Sequence, residues 1–213
     1  MYYGNLTATS KSNGSNVFEF FDDFESGNLI GWSAIKYWDP NGGSIVKGII
    51  TGGYNSLYAG GVMLTEDGGS YAATAGLEKN VSISTGFYID TNLKWDVVTR
   101  QINYDNFAII IEATDGNTIK TVAYRFVTGS PPCGLYWSAF SGSCGNRDFF
   151  CLSPGIWTKL STSIKSDFLS LCGFNINKIT KISVAVGTYA TTIYGYIDNI
   201  RTVSYTHLRA HET

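Results

Sequence analysis

Apolar and polar residues alternate along much of this chain, and a period of two is what a strand with one buried face requires. Val81, Ile83, Thr85, Phe87 and Ile89 alternate with Ser82, Ser84, Gly86, Tyr88 and Asp90. Ile182, Val184 and Val186 do the same against Ser183, Ala185 and Gly187. Residues 107–113 form an apolar run short enough for a central strand. Residues 119–127 follow it after Asp115-Gly116-Asn117, a turn signal that makes the two a hairpin. Further strands are expected over 44–50, 57–64, 70–75, 156–164 and 191–200. A helical turn fits only residues 166–171, with Ser166 as its N-cap. Many short strands between Gly-rich turns, with 24 glycines and 15% aromatics in 213 residues, predict an all-β protein and one sandwich domain.

Charge narrows the function. Charged residues make up 15% of the chain and the net charge is -2, too little basic character to track a phosphate backbone, so no nucleic-acid partner is expected. No apolar run reaches the length needed to span a bilayer, about 18 residues, so no membrane insertion is expected within this chain.

Cys133, Cys144, Cys151 and Cys172 are an even number with no Cys-x-x-Cys pair, which favours disulfides in an oxidising compartment over zinc or redox chemistry. Free buried thiols are the alternative. Four cysteines allow three connectivities; the favoured one joins Cys133 to Cys144 across a loop tip and Cys151 to Cys172. Three of them fall in residues 128–154, a long stretch without strand periodicity, and such loops are often functional. That stretch also holds Tyr136, Trp137 and Phe140. Flat rings stack on the C–H faces of sugars, and Asn146, Arg147 and Asp148 offer partners for hydroxyls. Alternatively the rings fold back as a small core under the loop. Trp38 and Trp95 lie in turn-rich sequence and are expected at the surface, which adds Trp38 to the candidate ligand-binding set. In 156–164, alternation groups Trp157 with Lys159, Ser161 and Ser163, away from Leu160.

Two runs carry a family resemblance. Residues 20–32 read FFDDFESGNLIGW and residues 194–200 read YGYIDNI; together they resemble the opening and closing strands of carbohydrate-binding-type jelly rolls, over roughly residues 17–201. The resemblance implies an antiparallel jelly-roll β-sandwich whose first and last strands lie together, with Trp32 packed inward. It also implies a structural Ca2+ near those joined strands, held by Asp23, Glu25 and Asp198 with backbone carbonyls near residues 53–56. Solvated surface acids are the alternative.

Both ends resemble something else. Tyr2, Tyr3, Gly4, Asn5, Ala8, Ser10, Ser12, Asn13 and Gly14, leading into Phe18, Phe20, Phe21, Asp22, Asp23 and Phe24, resemble the closing segment of the domain-of-unknown-function 2341 family of prokaryotic surface proteins. Residues 1–16 are therefore expected to end a truncated upstream domain, with the sandwich over 17–202. Residues 203–213, VSYTHLRAHET, resemble read-through of a sequencing adapter and are expected to be unstructured. Their exclusion removes both histidines, His207 and His211, and with them Ser-His-Asp and Cys-His catalysis. Glu66-Asp67 and Glu112 with Asp115 are the available carboxylate pairs, and the Glu-x-Asp-x-Glu pattern of sandwich glucanases does not occur.

The expected role is a non-catalytic module of a larger secreted or cell-surface protein that binds a polysaccharide or surface glycan, or serves adhesion. The alternatives are a ligand-free spacer in a surface stalk and, less favoured, a sandwich glycoside hydrolase.

Overall fold

The computed structural model describes residues 18–38, 43–65, 73–97, 106–127, 141–150, 153–188 and 191–203. Among them run β1 (Phe20–Asp22), β2 (Trp32–Trp38), β3 (Ser44–Thr51), β4 (Tyr58–Thr65), β5 (Ala73–Ile83) and β6 (Tyr88–Val97). There follow β7 (Asn106–Thr114), β8 (Ile119–Val127), β9 (Gly145–Phe150), β10 (Thr158–Ser163), helix α1 (Ile164–Cys172), β11 (Lys178–Thr188) and β12 (Thr192–Val203). The strands form two six-stranded sheets. The first has the order β10-β6-β12-β4-β3 with β1 also on β12, and the second β2-β5-β11-β7-β8-β9. Pairing is antiparallel except between β8 and β9, which run parallel.

The ends of the sandwich meet as expected. Phe20, Phe21 and Asp22 pair with Thr202, Arg201 and Ile200. β12 runs one residue past the expected boundary, because Val203 still pairs with Tyr88 of β6.

Between the sheets lies one apolar core. Ile89, Leu93, Ile193, Ile197, Val62 and Leu64 of the first sheet meet Leu77, Ile109, Ile111, Val122, Val184 and Val186 of the second. Burying each such side chain contributes about 1.5–3 kcal/mol. Trp95 belongs to this core at 1% exposure, not to the surface. It keeps phase with Ile89, Thr91 and Leu93 along β6, so the strand's alternation turns it inward.

Three expectations are corrected. The alternation through residues 81–89 is not one strand: β5 ends at Ile83 and β6 begins at Tyr88. Glu19 binds the intervening turn, its Oε1 accepting from Ser84 N and Oγ and its Oε2 from Thr85 N and Oγ1 and Gly86 N, at 2.6–3.0 Å. Three backbone donors that a ladder would use, and two hydroxyls, are thereby satisfied by one carboxylate. The helix starts earlier than expected, and its N-cap is Ser163, whose hydroxyl accepts from Ser166 N, while Gly173 in a left-handed conformation ends it.

The disulfide joins Cys144 to Cys172, with Cα atoms 5.3 Å apart, rather than Cys133 to Cys144 and Cys151 to Cys172. The reason is tertiary. β9 lies in parallel beside β8, which sets Cys144 next to the end of α1. The bridge spans 28 residues, for which the chain-entropy account gives roughly 3–4 kcal/mol. Cys133 and Cys151 lie outside the described residues.

Candidate glycan-binding face

The outward positions of the first sheet form the candidate site. On β6, Asp90, Asn92, Lys94 and Asp96 alternate with the inward residues and so share the outer face. Beside them on β12 stand Tyr194 and Tyr196, opposite Asp96 and Lys94. A bulge between Asp198 and Arg201, with Asn199 at φ 50°, then shifts the phase of β12. The shift sets Arg201 opposite Asp90. On the other flank, β10 sets Lys159 opposite Asn92 and Ser161 opposite Asp90.

Asp90 organises one half of this face. Its Oδ2 accepts from Arg201 Nη2 at 2.6 Å and Nε at 3.2 Å, and its Oδ1 meets Lys159 Nζ at 3.1 Å. These three line an open cleft of about 320 Å³ with Tyr54, Asn55, Asn92 and Asn199. Among the described residues Asp90 is the cleft's one carboxylate; the rest of the described lining is amide, phenol and cation.

An aromatic row crosses the same face. Trp157, just before β10, meets the Tyr54 ring edge-on at 6.2 Å. Lys94 Nζ stands 5.4 Å from the Trp157 ring and 4.8 Å from the Tyr196 ring. Tyr196 and Tyr194 then stack, 6.2 Å apart and inclined by 10°. Burial, with the neighbouring Asp96 and Tyr194, pushes the Tyr196 phenol up to about 12, so it stays a neutral hydrogen-bonding group. Beyond the tyrosines lies a smaller groove of about 150 Å³, lined by Val46, Gly48, Ile50, Gly61, Val62 and Met63. A chain laid across the sheet thus meets amides and charges at one end, flat rings in the middle and an apolar floor at the other.

Of the expected ligand-binding residues, Arg147 lies away from this face. Arg147 is committed beside the helix: its guanidinium bonds Asp167 at 2.9 Å and donates to Ser170 Oγ at 2.6 Å. Asp167 also accepts from Tyr124 Oη and Thr162 Oγ1, so this is a supporting network under β8 and β9. Tyr136, Trp137 and Phe140 lie outside the described residues, as does the side chain of Trp38, whose backbone ends β2. Sequence reasoning missed Tyr54, Asn92, Lys94, Tyr194 and Tyr196. The i, i+2 tyrosines of the YGY run were a readable signal, since such residues share a strand face.

Of the expected calcium ligands, two approach each other. Asp198 is fully buried. Its Oδ2 accepts from Tyr54 N at 2.7 Å and Ser56 Oγ at 2.5 Å, and its Oδ1 from Asn199 N at 2.7 Å. No Lys or Arg pairs with it among the described residues, and burial raises its pKa, with the charge of Glu25 adding to the rise. Glu25 Oε1 accepts from Tyr58 N at 2.8 Å. Gly53 is required beside them, because a Cβ there would collide with Ser56 Oγ, Tyr58 O and Asp198 Oδ2. Asp23 instead accepts from Glu25 N within its own turn, and no three acidic, histidine or cysteine side chains gather among the described residues. Two carboxylates with no countercharge among the described residues, a hydroxyl and a crowded carbonyl make an all-oxygen donor set, which suits a hard cation such as calcium.

Comparison with known proteins places the fold. The family described as "Domain of unknown function (DUF2341)" matches residues 1–41, reaching past β1 and β2. No curated protein matches the chain in sequence. Among solved structures, one concerned with the promiscuous specificity of β-sandwich carbohydrate-binding modules superposes at a TM-score of 0.50 and 14% identity over 85% of this chain. The chain spans 60% of that protein's length. The xyloglucanase domain of NopAA, a type three effector from Sinorhizobium fredii in complex with cellobiose, superposes at a TM-score of 0.50 and 13% identity, over 83% of this chain and 95% of that one. One of the two is a binding module and the other an enzyme, so the fold leaves function to the site. This chain is an all-β jelly-roll sandwich of the kind those proteins share.

Proposed function

We propose that the chain is a non-catalytic carbohydrate-binding module, exported as part of a larger surface or secreted protein, and that the outer face of its first sheet holds the glycan. The observation that carries this reading is the row Trp157–Lys94–Tyr196–Tyr194 running beside the Asp90 cleft. Aromatic faces present apolar area to sugar C–H groups, and Asn55, Asn92, Asn199 and Arg201 supply the polar partners that fix orientation. A disulfide between Cys144 and Cys172 supports an oxidising compartment.

A glycosidase needs two carboxyl groups about 5–9.5 Å apart across its cleft. Among the described residues Asp90 stands in the cleft without a second carboxylate, and it is bound by two cations. On the opposite sheet Glu78 and Glu112 flank Lys181 at 3.6 and 3.9 Å, so both are engaged by one ammonium. Binding without chemistry accounts for both arrangements.

The same proposal includes a structural calcium ion between Glu25 and Asp198, with Ser56 Oγ and Tyr58 O as further oxygen donors. Its role is to neutralise the buried Asp198 and fix the 53–58 turn, which carries Tyr54 and Asn55 to the cleft.

Affinity electrophoresis against xylan, β-glucan, galactan and polygalacturonate tests the face. Trp157→Ala and Tyr196→Ala are each expected to weaken retention on the bound polymer about tenfold or more, with melting temperature held within a few degrees. Retention unchanged in both variants removes this face as the site. No retention of the parent on any polymer leaves the spacer reading.

A further inference from the structure

We infer that the glycan taken by this face carries carboxylates, and is a uronic-acid polysaccharide rather than a neutral one. The inference rests on the glycan-binding reading above and narrows it by charge. Among the described residues, the outer face of β6, β10 and β12 carries Lys94, Lys159 and Arg201 against Asp90 and Asp96, and Lys159 and Arg201 line the cleft itself. Asp96 lies farther along β6, opposite Tyr194, and Asp198 is buried behind the 53–58 turn, with Glu25 exposed beside that turn. The positive excess is local, because the chain as a whole carries a net charge of -2.

Each cation is held without being exhausted. Lys159 gives Asp90 one of the three donors of an ammonium. Arg201 reaches Asp90 through Nε and Nη2, both on the single oxygen Oδ2, so the Nη1 donors are not used on Asp90. Lys94 differs from both. Its ammonium rests against the Trp157 and Tyr196 rings and pairs with no carboxylate among the described residues. A cation–π contact fixes a charge in place but does not neutralise it.

A neutral sugar has no use for that arrangement. Its hydroxyls are met equally well by Asn55, Asn92 and Asn199, which line the same cleft. A uronate carboxylate instead gains charge-assisted hydrogen bonds, roughly twice as strong as neutral ones. Trp157 and Tyr196 on either side of Lys94 would let sugar rings stack while one carboxylate meets the ammonium between them.

The test compares polygalacturonate with the same polymer after methyl esterification, which keeps the backbone and removes its charge; neutral β-glucan, xylan and galactan complete the panel. The expected result is retention about tenfold tighter on the free-acid polymer than on its ester, weakening as salt is raised. Lys94→Gln and Lys159→Gln should each lower that retention at an unchanged melting temperature, while Lys120→Gln on the other sheet should not. Equal affinity for acid and ester, or retention by neutral polymers alone, overturns the charge inference and leaves the glycan-binding face standing. An equal loss in Lys120→Gln assigns the effect to net charge and also overturns it. No retention by any polymer removes both.

Discussion

At Gly195 the two sheets approach so closely that a methyl group has no room: a Cβ would stand 2.6 Å from Val186 Cγ1 and 2.9 Å from Phe107 Cε2. Gly195 separates Tyr194 from Tyr196, so the missing side chain lets the sheets close while both tyrosines face outward. Gly195→Ala is expected to cost about 1–3 kcal/mol, as overpacking in a dense core does. A lower denaturant midpoint with an unchanged slope would show it; a midpoint equal to the parent's would mean that Val186 or Phe107 yields freely. Single residues were unevenly legible. Strand alternation alone placed Trp157 with Lys159 on the outer side of β10, where Lys94 meets its ring. It failed for Trp95 because the polar residues around it, Asp90, Asn92, Lys94 and Asp96, hid the strand to which that residue belongs.

Elements read well where one face is buried and poorly where a side chain from afar intervenes. The β7–β8 hairpin was legible from its turn, with Asp115 Oδ1 accepting from Asn117 N and Thr118 N. β9 was not, since a six-residue parallel strand on an edge carries no alternation strong enough to see. The break between β5 and β6 depends on Glu19, distant in sequence. Partial burial works to raise the Glu19 pKa, but the bonds from Ser84, Gly86 and Thr85 outweigh it and lower the value from 4.5 to about 2. A depressed carboxyl stabilises the fold above its unfolded pKa of 4.5 and ceases to do so as pH falls toward about 2. The parent should therefore lose melting temperature between those pH values more steeply than Glu19→Gln, and should exceed it at neutral pH. Parallel acid profiles would show that the clamp contributes nothing.

For the whole molecule, the meeting of the first and last strands was implied by resemblance rather than by periodicity, because no local pattern says which strand lies beside which. The pairing of β1 with β12 is the feature on which the ion proposal depends. If calcium sits between Glu25 and Asp198, adding it should raise the melting temperature, by about 2.7 kcal/mol of stability at a hundredfold excess over Kd, and chelation should reverse the gain. Asp198→Asn should abolish the response. A parent whose melting curve ignores both calcium and chelator counts against the ion and leaves the glycan face untouched. The candidate face itself was hidden from sequence reasoning for a related reason. Its parts come from β6, β10, β12 and the 53–58 turn, and only the bulge at Asn199 aligns Arg201 with Asp90.

The same pairing governs how tension would travel. Phe20 lies across from Thr202, so the chain arrives at and departs from the sandwich at neighbouring points of one rim. A pull on both ends would load the three β1 rungs in succession, like the teeth of a zip, instead of shearing them together. β1 would detach before the two sheets part, which leaves the Trp157–Tyr194 row intact on the first sheet.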